Sequence, residues 1–181
     1  VSSGVGVTAL AMAKAFGAKV IGTSGSADKL AVLKNHGLDE AICTRNADFH
    51  EKIMQITSGK GVDIVINTVG GSVFSECVKS MAFQGRLATV GYVDGVMKAE
   101  IDIQTLHTMR LQIFGVSNKL RSPEQRAQML PAFREQILPL FQEGKALPLV
   151  SKVMPFDQLL QAKELMDSNQ HLGKIVLAGL E

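Results

Sequence analysis

Aromatic stacking surface is scarce in this chain, whose 181 residues include no tryptophan and a single tyrosine. Proteins that bind nucleic acids use such rings to stack on bases, and they also carry clusters of basic residues. Here 19 basic and 17 acidic residues are mixed along the chain, and no basic cluster goes beyond short pairs. We therefore expect no nucleic-acid partner.

Long hydrophobic runs are also missing. No apolar stretch approaches the roughly 20 residues that a helix needs to span a bilayer, and we expect no membrane partner. No secretory signal is present, but the first residue is Val1 rather than a start methionine, so this absence excludes little.

Cysteine is rare as well. Cys43 falls on a predicted strand and Cys77 on the apolar face of a predicted helix. We interpret both as small buried side chains rather than as a disulfide or a catalytic pair. Free thiols fit a reducing compartment, and we expect a cytoplasmic location.

Short apolar segments alternate with amphipathic ones along most of the chain. Strands are predicted at residues 19–23, 40–43, 62–67, 86–91 and 111–116, and helices at residues 6–16 and 27–36 and around Phe49–Ile56 and Phe74–Met81. The strands at 62–67 and 86–91 are mostly apolar, as expected for strands covered on both faces. This alternation predicts an α/β fold, a doubly wound Rossmann-type parallel sheet.

The longest predicted helix follows the last of these strands. Ser122 can cap it, Pro123 suits its first turn, and Gln125 completes a capping-box pattern. A buried stripe is predicted before Gly144 at Leu130, Phe133, Ile137, Leu140 and Phe141.

The two ends of the chain differ from this pattern. Residues 147–181 look like a separate closing segment, which sets a domain boundary after residue 146. At the other end, a glycine-rich turn at Ser2–Gly6 leads into a helix without a preceding strand. Since that strand would be central in a doubly wound sheet, we expect the first strand to be missing from this chain.

The glycine-rich turn is the first motif with chemical content. Ser3, Gly4, Val5 and Gly6 open a helix, and Gly17-Ala18-Lys19-Val20-Ile21 follows it as the start of a strand. Glycines let a backbone approach a pyrophosphate closely, and the helix behind them presents free N–H groups and its positive dipole end. In this context the turn favours a dinucleotide site over a plain structural turn.

The end of the predicted strand at residues 19–23 bears on which dinucleotide is bound. NAD-preferring Rossmann domains place an acid there for the ribose hydroxyls. This chain has Thr23 and Ser24 instead, followed by Lys29, and no acid before Asp28. Hydroxyls and a lysine suit a 2′-phosphate, so we expect NADPH, with NADH the weaker alternative; a polar loop with a solvated lysine is the other interpretation.

With these motifs in place, the chain resembles the cofactor-binding domain of the medium-chain dehydrogenases/reductases, in their quinone oxidoreductase or enoyl reductase branch. The resemblance covers essentially the whole chain. It is carried by Ser3-Gly4-Val5-Gly6, Ala13-Lys14, Gly17-Ala18, Gly22-Thr23, Ser26-Ala27-Asp28-Lys29, Gly59-Lys60-Gly61-Val62-Asp63, Val69-Gly70-Gly71, Gly85-Arg86, Gly91 and His171-Leu172-Gly173-Lys174-Ile175-Val176.

The resemblance implies a set of cofactor contacts. The glycine-rich turn would hold the pyrophosphate, and Ser24 and Lys29 would meet the adenosine phosphate. Arg45 stands where relatives often have a tyrosine near the adenosine, and we expect it to compensate. The nicotinamide end would be bordered by residues that follow three strands: Asn67 and Val69, Gly91 and Tyr92, and Ser117 and Asn118.

The resemblance also implies what the complete protein does. We expect hydride transfer from NADPH to a small-molecule quinone or activated alkene (an enone or enoyl group), with an N-terminal substrate domain that is missing here and on which residues 147–181 would pack. In the zinc-free branch no single acid–base residue need be conspicuous, and we name no catalytic residue. Ser3, where zinc alcohol dehydrogenases usually have glycine, favours that branch.

Three alternatives stay open. A zinc-dependent alcohol dehydrogenase would draw its metal ligands from upstream, since the four histidines show no metal spacing here and we expect no metal site in this chain. A non-catalytic NADPH-binding protein would share the fold. A methyltransferase could bind a methyl donor at the same turn, although the missing acid argues against it.

A homodimer is the expected assembly. The segment from Leu111 to Val116 would be the last strand of the sheet, and it contains neither proline nor an inward lysine. An exposed apolar edge of this kind invites pairing with a second copy, and in relatives this strand often joins two sheets. The alternative is that the tail covers the edge.

Overall fold

The computed structural model describes residues 1–179 of the chain and has a mixed α/β fold. No helix in that range is long and apolar enough to cross a membrane. The helices are α1 Gly4–Ala15, α2 Ala27–Asn35, α3 His50–Ile56, α4 Phe74–Lys79, α5 Ile103–Thr108, α6 Pro123–Ala127, α7 Leu130–Ala132, α8 Leu138–Gln142 and α9 Leu159–Asp167. The strands are β1 Ile21–Ser24, β2 Glu40–Cys43, β3 Val62–Asn67, β4 Met81–Thr89, β5 Gln112–Gly115, β6 Val150–Pro155 and β7 Lys174–Ala178.

The described chain divides into two compact units. The terminal unit combines Val1–Ala41 with residues 134–179, and the central unit is Ile42–Phe133. The sequence-based boundary is a different division: residues 1–146 as the nucleotide-binding domain and 147–181 as a closing segment stay a prediction.

The terminal unit is built around one apolar cluster. Leucines of α1 and α2 supply most of it, because their apolar positions recur at helical spacing. The buried members are Val7, Leu10, Leu30, Leu33 and Leu38, and the partly buried residues around them are Val1, Val20, Ala41, Leu149 and Leu172. Since Leu149 and Leu172 belong to the tail, the tail packs on the same core as α1 and α2.

Strand pairing in the terminal unit follows the same arrangement. The backbone N of Glu40 donates to Val20 O over 3.1 Å, which sets the start of β2 beside β1. Strands β6 and β7 form a parallel pair in which Val153 lies opposite Val176.

The central unit contains a three-stranded parallel sheet with the order β3-β4-β5. Asn67 lies opposite Thr89, and Thr89 lies opposite Gly115, so the three strands end in line. The carboxyl ends of parallel strands form one edge of a sheet, which is where ligands bind in open α/β folds. The Asn67, Gly91 and Ser117 segments therefore leave the sheet from the same edge.

The sequence predicted most of these elements. Strands β2 and β3 have the predicted bounds, and β1, β5, α1 and α2 agree within two residues at each end. The β4 strand begins at Met81 rather than at residue 86 and ends at Thr89 rather than at residue 91.

The prediction that β3 is covered on both faces is wrong. Ile64 is 56% exposed and Ile66 is 47% exposed. Alternate side chains of a strand share a face, so these two isoleucines mark one face that the described residues cover only in part. Leu87 of the neighbouring β4 is fully buried, as an inner strand requires.

The prediction of a single long helix after Ser122 is also wrong. Ser122 and Gln125 do form the predicted capping box, but the helix is divided into α6, α7, a π-helical turn at Phe133–Ile137 and α8. Pro131 and Pro139 lack the N–H that a continuous helix needs. The interruptions break the apolar register, and the predicted stripe is not buried: Leu130 is 57% and Phe133 44% exposed, while Ile137, Leu140 and Phe141 are partly buried.

The two cysteines have different environments. Cys77 is buried as predicted, and burial, together with the neighbouring Glu76 charge, raises the pKa of its thiol to about 12. The prediction that Cys43 is buried is wrong: it lies at the exposed end of β2, because alternation turns Ile42 inward and Cys43 outward. Both thiols are free.

A homodimer through β5 is the first testable prediction. Within the described residues β5 is an edge of its sheet, with Phe114 and Val116 nearly half exposed. The Val116 N donates to Thr89 O, so alternation turns the N–H of Gly115 away from β4. Gly115→Pro removes that outward donor, and a Cβ there meets nothing within 4 Å.

We expect light scattering at micromolar concentration to report a dimer for the intact protein and a larger monomer fraction for Gly115→Pro. Gly115→Ala is the matched control, because it adds a Cβ but keeps the N–H. A strictly monomeric wild type would refute the prediction.

Candidate functional site

The glycine-rich turn lies at the start of α1 in the terminal unit. Ser3 caps the helix: its Oγ accepts from Gly6 N at 3.1 Å, and its carbonyl accepts from Val7 N at 2.9 Å. The N–H groups of Gly4 and Val5 have no acceptor among residues 1–179. Two unpaired donors at the positive end of a 12-residue helix can bind an anion.

The glycines of the turn are required by close backbone approach. A Cβ on Gly6 would lie 2.3 Å from the carbonyl oxygen of Val1, which is too short for any side chain. A Cβ on Gly22 of β1 would lie 2.8 Å from a methyl carbon of Leu38 and from one of Val1. The turn and β1 are therefore packed closely, and the surface that they present is backbone.

The end of β1 lies beside this turn. The Ser24 and Ser2 hydroxyls are 3.1 Å apart, and Ser24 Oγ also accepts from Ser26 N. Ser26 in turn caps α2 by accepting from Lys29 N at 3.3 Å. The structure thus brings the glycine-rich turn, Ser24 and the first turn of α2 together.

Lys29 and Thr23 make specific contacts in the same unit. Lys29 Nζ donates to the backbone oxygen of Asn169, so its ammonium is held by the segment that precedes β7. Thr23 uses its carbonyl to accept from Val1 N at 2.6 Å. The ammonium has three N–H donors, so two of them remain for a phosphate.

In the central unit, the loop after β3 is built around Asn67, which is only 3% exposed. Its Oδ1 accepts from Val69 N at 2.9 Å and from Gly70 N at 3.1 Å. Its Nδ2 donates to Gly70 O at 2.9 Å. Asn67 therefore fixes the backbone on which Val69 lies, and one Nδ2 hydrogen remains for another acceptor.

Asp94 also holds this loop, and sequence reasoning missed it. Its carboxylate accepts from Ser72 N at 2.9 Å, from Ser72 Oγ at 2.5 Å and from Val96 N at 2.9 Å. A Cβ on Gly70 would lie 1.9 Å from Asp94 Oδ1, so only glycine fits there. The Asp94-Gly95 dipeptide, a common turn signal, was the sequence feature that could have found it.

These hydrogen bonds, that from the Ser72 hydroxyl foremost, lower the pKa of Asp94 below its ordinary value of 3.8. A lowered carboxyl pKa stabilises the folded loop above the ordinary value, and the stabilisation disappears as the pH falls through the lowered pKa. The loop is therefore anchored at neutral pH.

The remaining predicted site residues differ in their contacts. Gly91 approaches the β3 loop closely, since a Cβ there would lie 3.3 Å from Thr68 O. Tyr92 is 59% exposed, with its ring free of the core. Ser117 and Asn118 follow β5 and are exposed; Ser117 Oγ accepts from Lys119 N, and Asn118 O accepts from Arg121 N and Arg126.

Arg45 lies in the exposed loop after β2. The hydroxyl of its neighbour Thr44 accepts from Asn46 N and donates to the Asp48 carboxylate. No hydrogen bond or ion pair joins the Arg45 guanidinium to any of residues 1–179. Its place beside the adenosine stays a prediction.

Metal ligation has no support in the described part of the chain, where no group of three or more His, Cys, Asp or Glu side chains could hold an ion. His50 Nδ1 lies 3.4 Å from Ser80 Oγ. The Nδ1 of His171 is buried and has no hydrogen-bond partner among residues 1–179.

A family model described as zinc-binding dehydrogenase matches residues 4–135, which is most of the chain. The chain belongs to this family. Its fold is the Rossmann-type cofactor-binding domain of the medium-chain dehydrogenases/reductases, as the sequence resemblance predicted.

Two curated relatives are large synthases. A hybrid PKS-NRPS synthetase of Aspergillus violaceofuscus is 30% identical over 97% of this chain. A phenolphthiocerol/phthiocerol polyketide synthase of Mycobacterium tuberculosis is 29% identical over 98% of it. The chain spans only 5% and 8% of these relatives' own lengths.

Solved structures give the same fold. An NAD-dependent alcohol dehydrogenase is 30% identical, with a TM-score of 0.76 over 99% of this chain and 49% of its own. The protein AibC is 29% identical, with a TM-score of 0.80 over 99% of this chain and 47% of its own. The enoyl reductase JamJ, 24% identical, shares the fold with a TM-score of 0.80 over 98% of this chain and 52% of its own.

The role of Asn67 gives the second prediction. Asn67→Ala removes three hydrogen bonds of a buried side chain and leaves the Val69 and Gly70 amides without their acceptor. We expect the free energy of unfolding to fall by about 2–3 kcal/mol, measured by urea denaturation of the intact protein.

Asn118→Ala is the matched control, since the Asn118 side chain is exposed, and we expect a change within about 0.5 kcal/mol. Equal effects of the two substitutions would contradict the anchoring role of Asn67.

Proposed function

We propose that this chain is the cofactor-binding part of an NADPH-dependent oxidoreductase that transfers a hydride to a quinone or to an activated alkene of the enone or enoyl type. The observation that carries the proposal is the pair of unpaired Gly4 and Val5 N–H groups beside Ser24 and Lys29. Membership of the family supports the reaction class, and a cytoplasmic location is part of the proposal, because both cysteines are free thiols.

The residues present fit a dinucleotide. The turn from Ser3 to Gly6 offers two unpaired backbone donors, the N–H groups of Gly4 and Val5, which suits a pyrophosphate. Ser24 and Lys29 offer a hydroxyl and an ammonium for the phosphate on the adenosine ribose. Thr23 adjoins Ser24 in sequence, and Arg45, in the loop after β2, is assigned to the adenosine by the family resemblance. The cofactor, when bound, supplies the hydride, and the protein binds and orients it.

The nicotinamide end is assigned to the loops of the central unit. Asn67 and Asp94 fix the backbone around Val69, and Gly91, Tyr92, Ser117 and Asn118 leave the same sheet edge. These loops would hold the nicotinamide ribose and limit the movement of the ring. Preorganised loops of this kind lower the entropy cost of reaching the reacting geometry.

The substrate class rests on relatives. The enoyl reductase JamJ shares the fold, and so does a quinone oxidoreductase of Pseudomonas syringae. The curated relatives include a hybrid PKS-NRPS synthetase and a polyketide synthase. A zinc-dependent alcohol dehydrogenase is the second candidate, favoured by the 30% identity to an NAD-dependent alcohol dehydrogenase. Metal analysis of the intact protein, together with turnover of an enone against an alcohol, distinguishes the two.

Cofactor choice is the third prediction. A 2′-phosphate carries nearly two negative charges, and a charge-assisted contact with Lys29 should tighten NADPH binding by about 10- to 150-fold. Lys29→Ala should weaken NADPH binding by about this factor and leave NADH binding nearly unchanged. Ser24→Asp should weaken NADPH further and favour NADH, because a carboxylate repels the phosphate and accepts from ribose hydroxyls.

Titration of both cofactors at fixed low salt measures these effects. Lys34→Ala is the matched control, because Lys34 lies in the last turn of α2 whereas Lys29 lies in the first. The assignment of this loop is wrong if the wild type binds NADH as tightly as NADPH, or if Lys29→Ala weakens both equally.

A further inference from the structure

We propose that Asp94 is a positioning residue for hydride transfer, because its carboxylate holds together two loops at the carboxyl edge of the central sheet. These are the β3 loop, residues 68–72, and the β4 loop, residues 90–98. The inference rests on the proposed function, which assigns the nicotinamide end of the cofactor to these loops. Loss of the carboxylate should slow hydride transfer but leave the affinity for the dinucleotide nearly unchanged.

The backbones of the two loops are hydrogen-bonded to each other in both directions. Asp94 N in the β4 loop donates to Val69 O in the β3 loop at 2.9 Å. Gly71 N in the β3 loop donates to Val96 O in the β4 loop, also at 2.9 Å. Each loop therefore fixes the backbone of the other.

Two glycines of the β3 loop provide the space for this contact. A Cβ on Gly70 would lie 1.9 Å from Asp94 Oδ1. A Cβ on Gly71 would lie 2.7 Å from Val96 O and 2.8 Å from Lys98 O. The β4 loop thus occupies the volume that side chains at positions 70 and 71 would need, so the Gly-Gly pair is required by the contact between the loops.

The side chain of Asp94 bonds to both loops at once. Its Oδ2 accepts from the backbone N and the hydroxyl of Ser72, and its Oδ1 accepts from Val96 N. An asparagine has the same size but only one acceptor oxygen, so its amide N–H groups would face either Ser72 N–H or Val96 N–H. Only a carboxylate can accept on both sides, and the lowered pKa of Asp94 keeps it ionised at neutral pH.

Asp94 acts through the residues beside it. Val69 is held at both ends, since its N–H donates to Asn67 Oδ1 and its carbonyl accepts from Asp94 N. Tyr92 O accepts from Gly95 N at 3.1 Å, in the turn that contains Asp94. Val69 and Tyr92 are the predicted neighbours of the nicotinamide ribose, so the carboxylate would limit the movement of both.

The rate of transfer is more sensitive to such movement than the affinity is. Hydride donor and acceptor must come within roughly 3–3.5 Å of each other, and a misplacement of about 1 Å can cost about 100-fold in rate. The proposed phosphate contacts are made by the glycine-rich turn, Ser24 and Lys29, and none of these depends on Asp94. Looser loops should therefore impair the reaction and spare binding.

Single-turnover oxidation of NADPH by the intact protein, with cyclohexenone and with 1,4-benzoquinone as acceptors, tests the inference. The rate constant reports the geometry within the folded protein, whereas the amplitude reports how much protein is folded and loaded. For Asp94→Asn and Asp94→Ala we expect the rate constant to fall by about 10- to 100-fold. The dissociation constant of NADPH, measured by nicotinamide fluorescence, should stay nearly unchanged.

Asp102→Asn is the matched control. The Asp102 carboxylate also accepts from two backbone N–H groups and one hydroxyl, but its partners, Gln104 and Thr105, lie in α5. We expect this variant to keep the wild-type rate constant. Ser72→Ala removes one partner of Asp94 and should give a rate constant between those of the wild type and Asp94→Asn.

An unchanged rate constant in Asp94→Asn and Asp94→Ala, or an equal slowing in Asp102→Asn, overturns the inference and leaves the proposed function intact. A loss of amplitude alone also overturns it, because Asp94 would then serve stability only. If circular dichroism shows that neither Asp94 variant folds, Ser72→Ala decides, and an unchanged rate constant there overturns the inference. A wild type that oxidises NADPH with neither acceptor overturns the proposed function and the inference with it.

Discussion

A Cβ at Gly6 would lie 2.3 Å from Val1 O, so the first turn of α1 reaches the preceding backbone only because residue 6 has no side chain. The rest of the terminal unit depends on this approach. It positions the Gly4 and Val5 N–H groups, and it places Ser2 within hydrogen-bond distance of Ser24. The tail joins the same arrangement, because Leu149 and Leu172 pack on the core beneath the turn.

In the central unit, polar side chains hold the loops that follow the strands. Its three strands end in line at Asn67, Thr89 and Gly115, and the loops beyond them contain glycine where a side chain would collide. Asn67 and Asp94 satisfy backbone amides of these loops. Of the two, Asn67 is buried, and a buried polar group that is fully satisfied gives a loop one conformation rather than several.

The sequence predicted what depends on local pattern. Alternating apolar runs located β2 and β3, and Ser122 with Gln125 predicted a real capping box. The prediction of one long helix was wrong because it followed the apolar periodicity and gave too little weight to Pro131 and Pro139, each of which removes a helix hydrogen bond. Asp94 was missed as a contact because its partners are distant in sequence: the Asp94-Gly95 dipeptide signals a turn, but it does not report which residues the fold brings to that turn.

The central claim is that the first turn of α1 binds the phosphates of a nicotinamide dinucleotide through backbone N–H groups. Amide hydrogen exchange of the intact protein, resolved at Gly4 and Val5 with and without saturating NADPH, tests it most directly. The account predicts that exchange at both amides slows when the cofactor is bound, since each gains an acceptor. Unchanged exchange at Gly4 and Val5 in the saturated protein would contradict it.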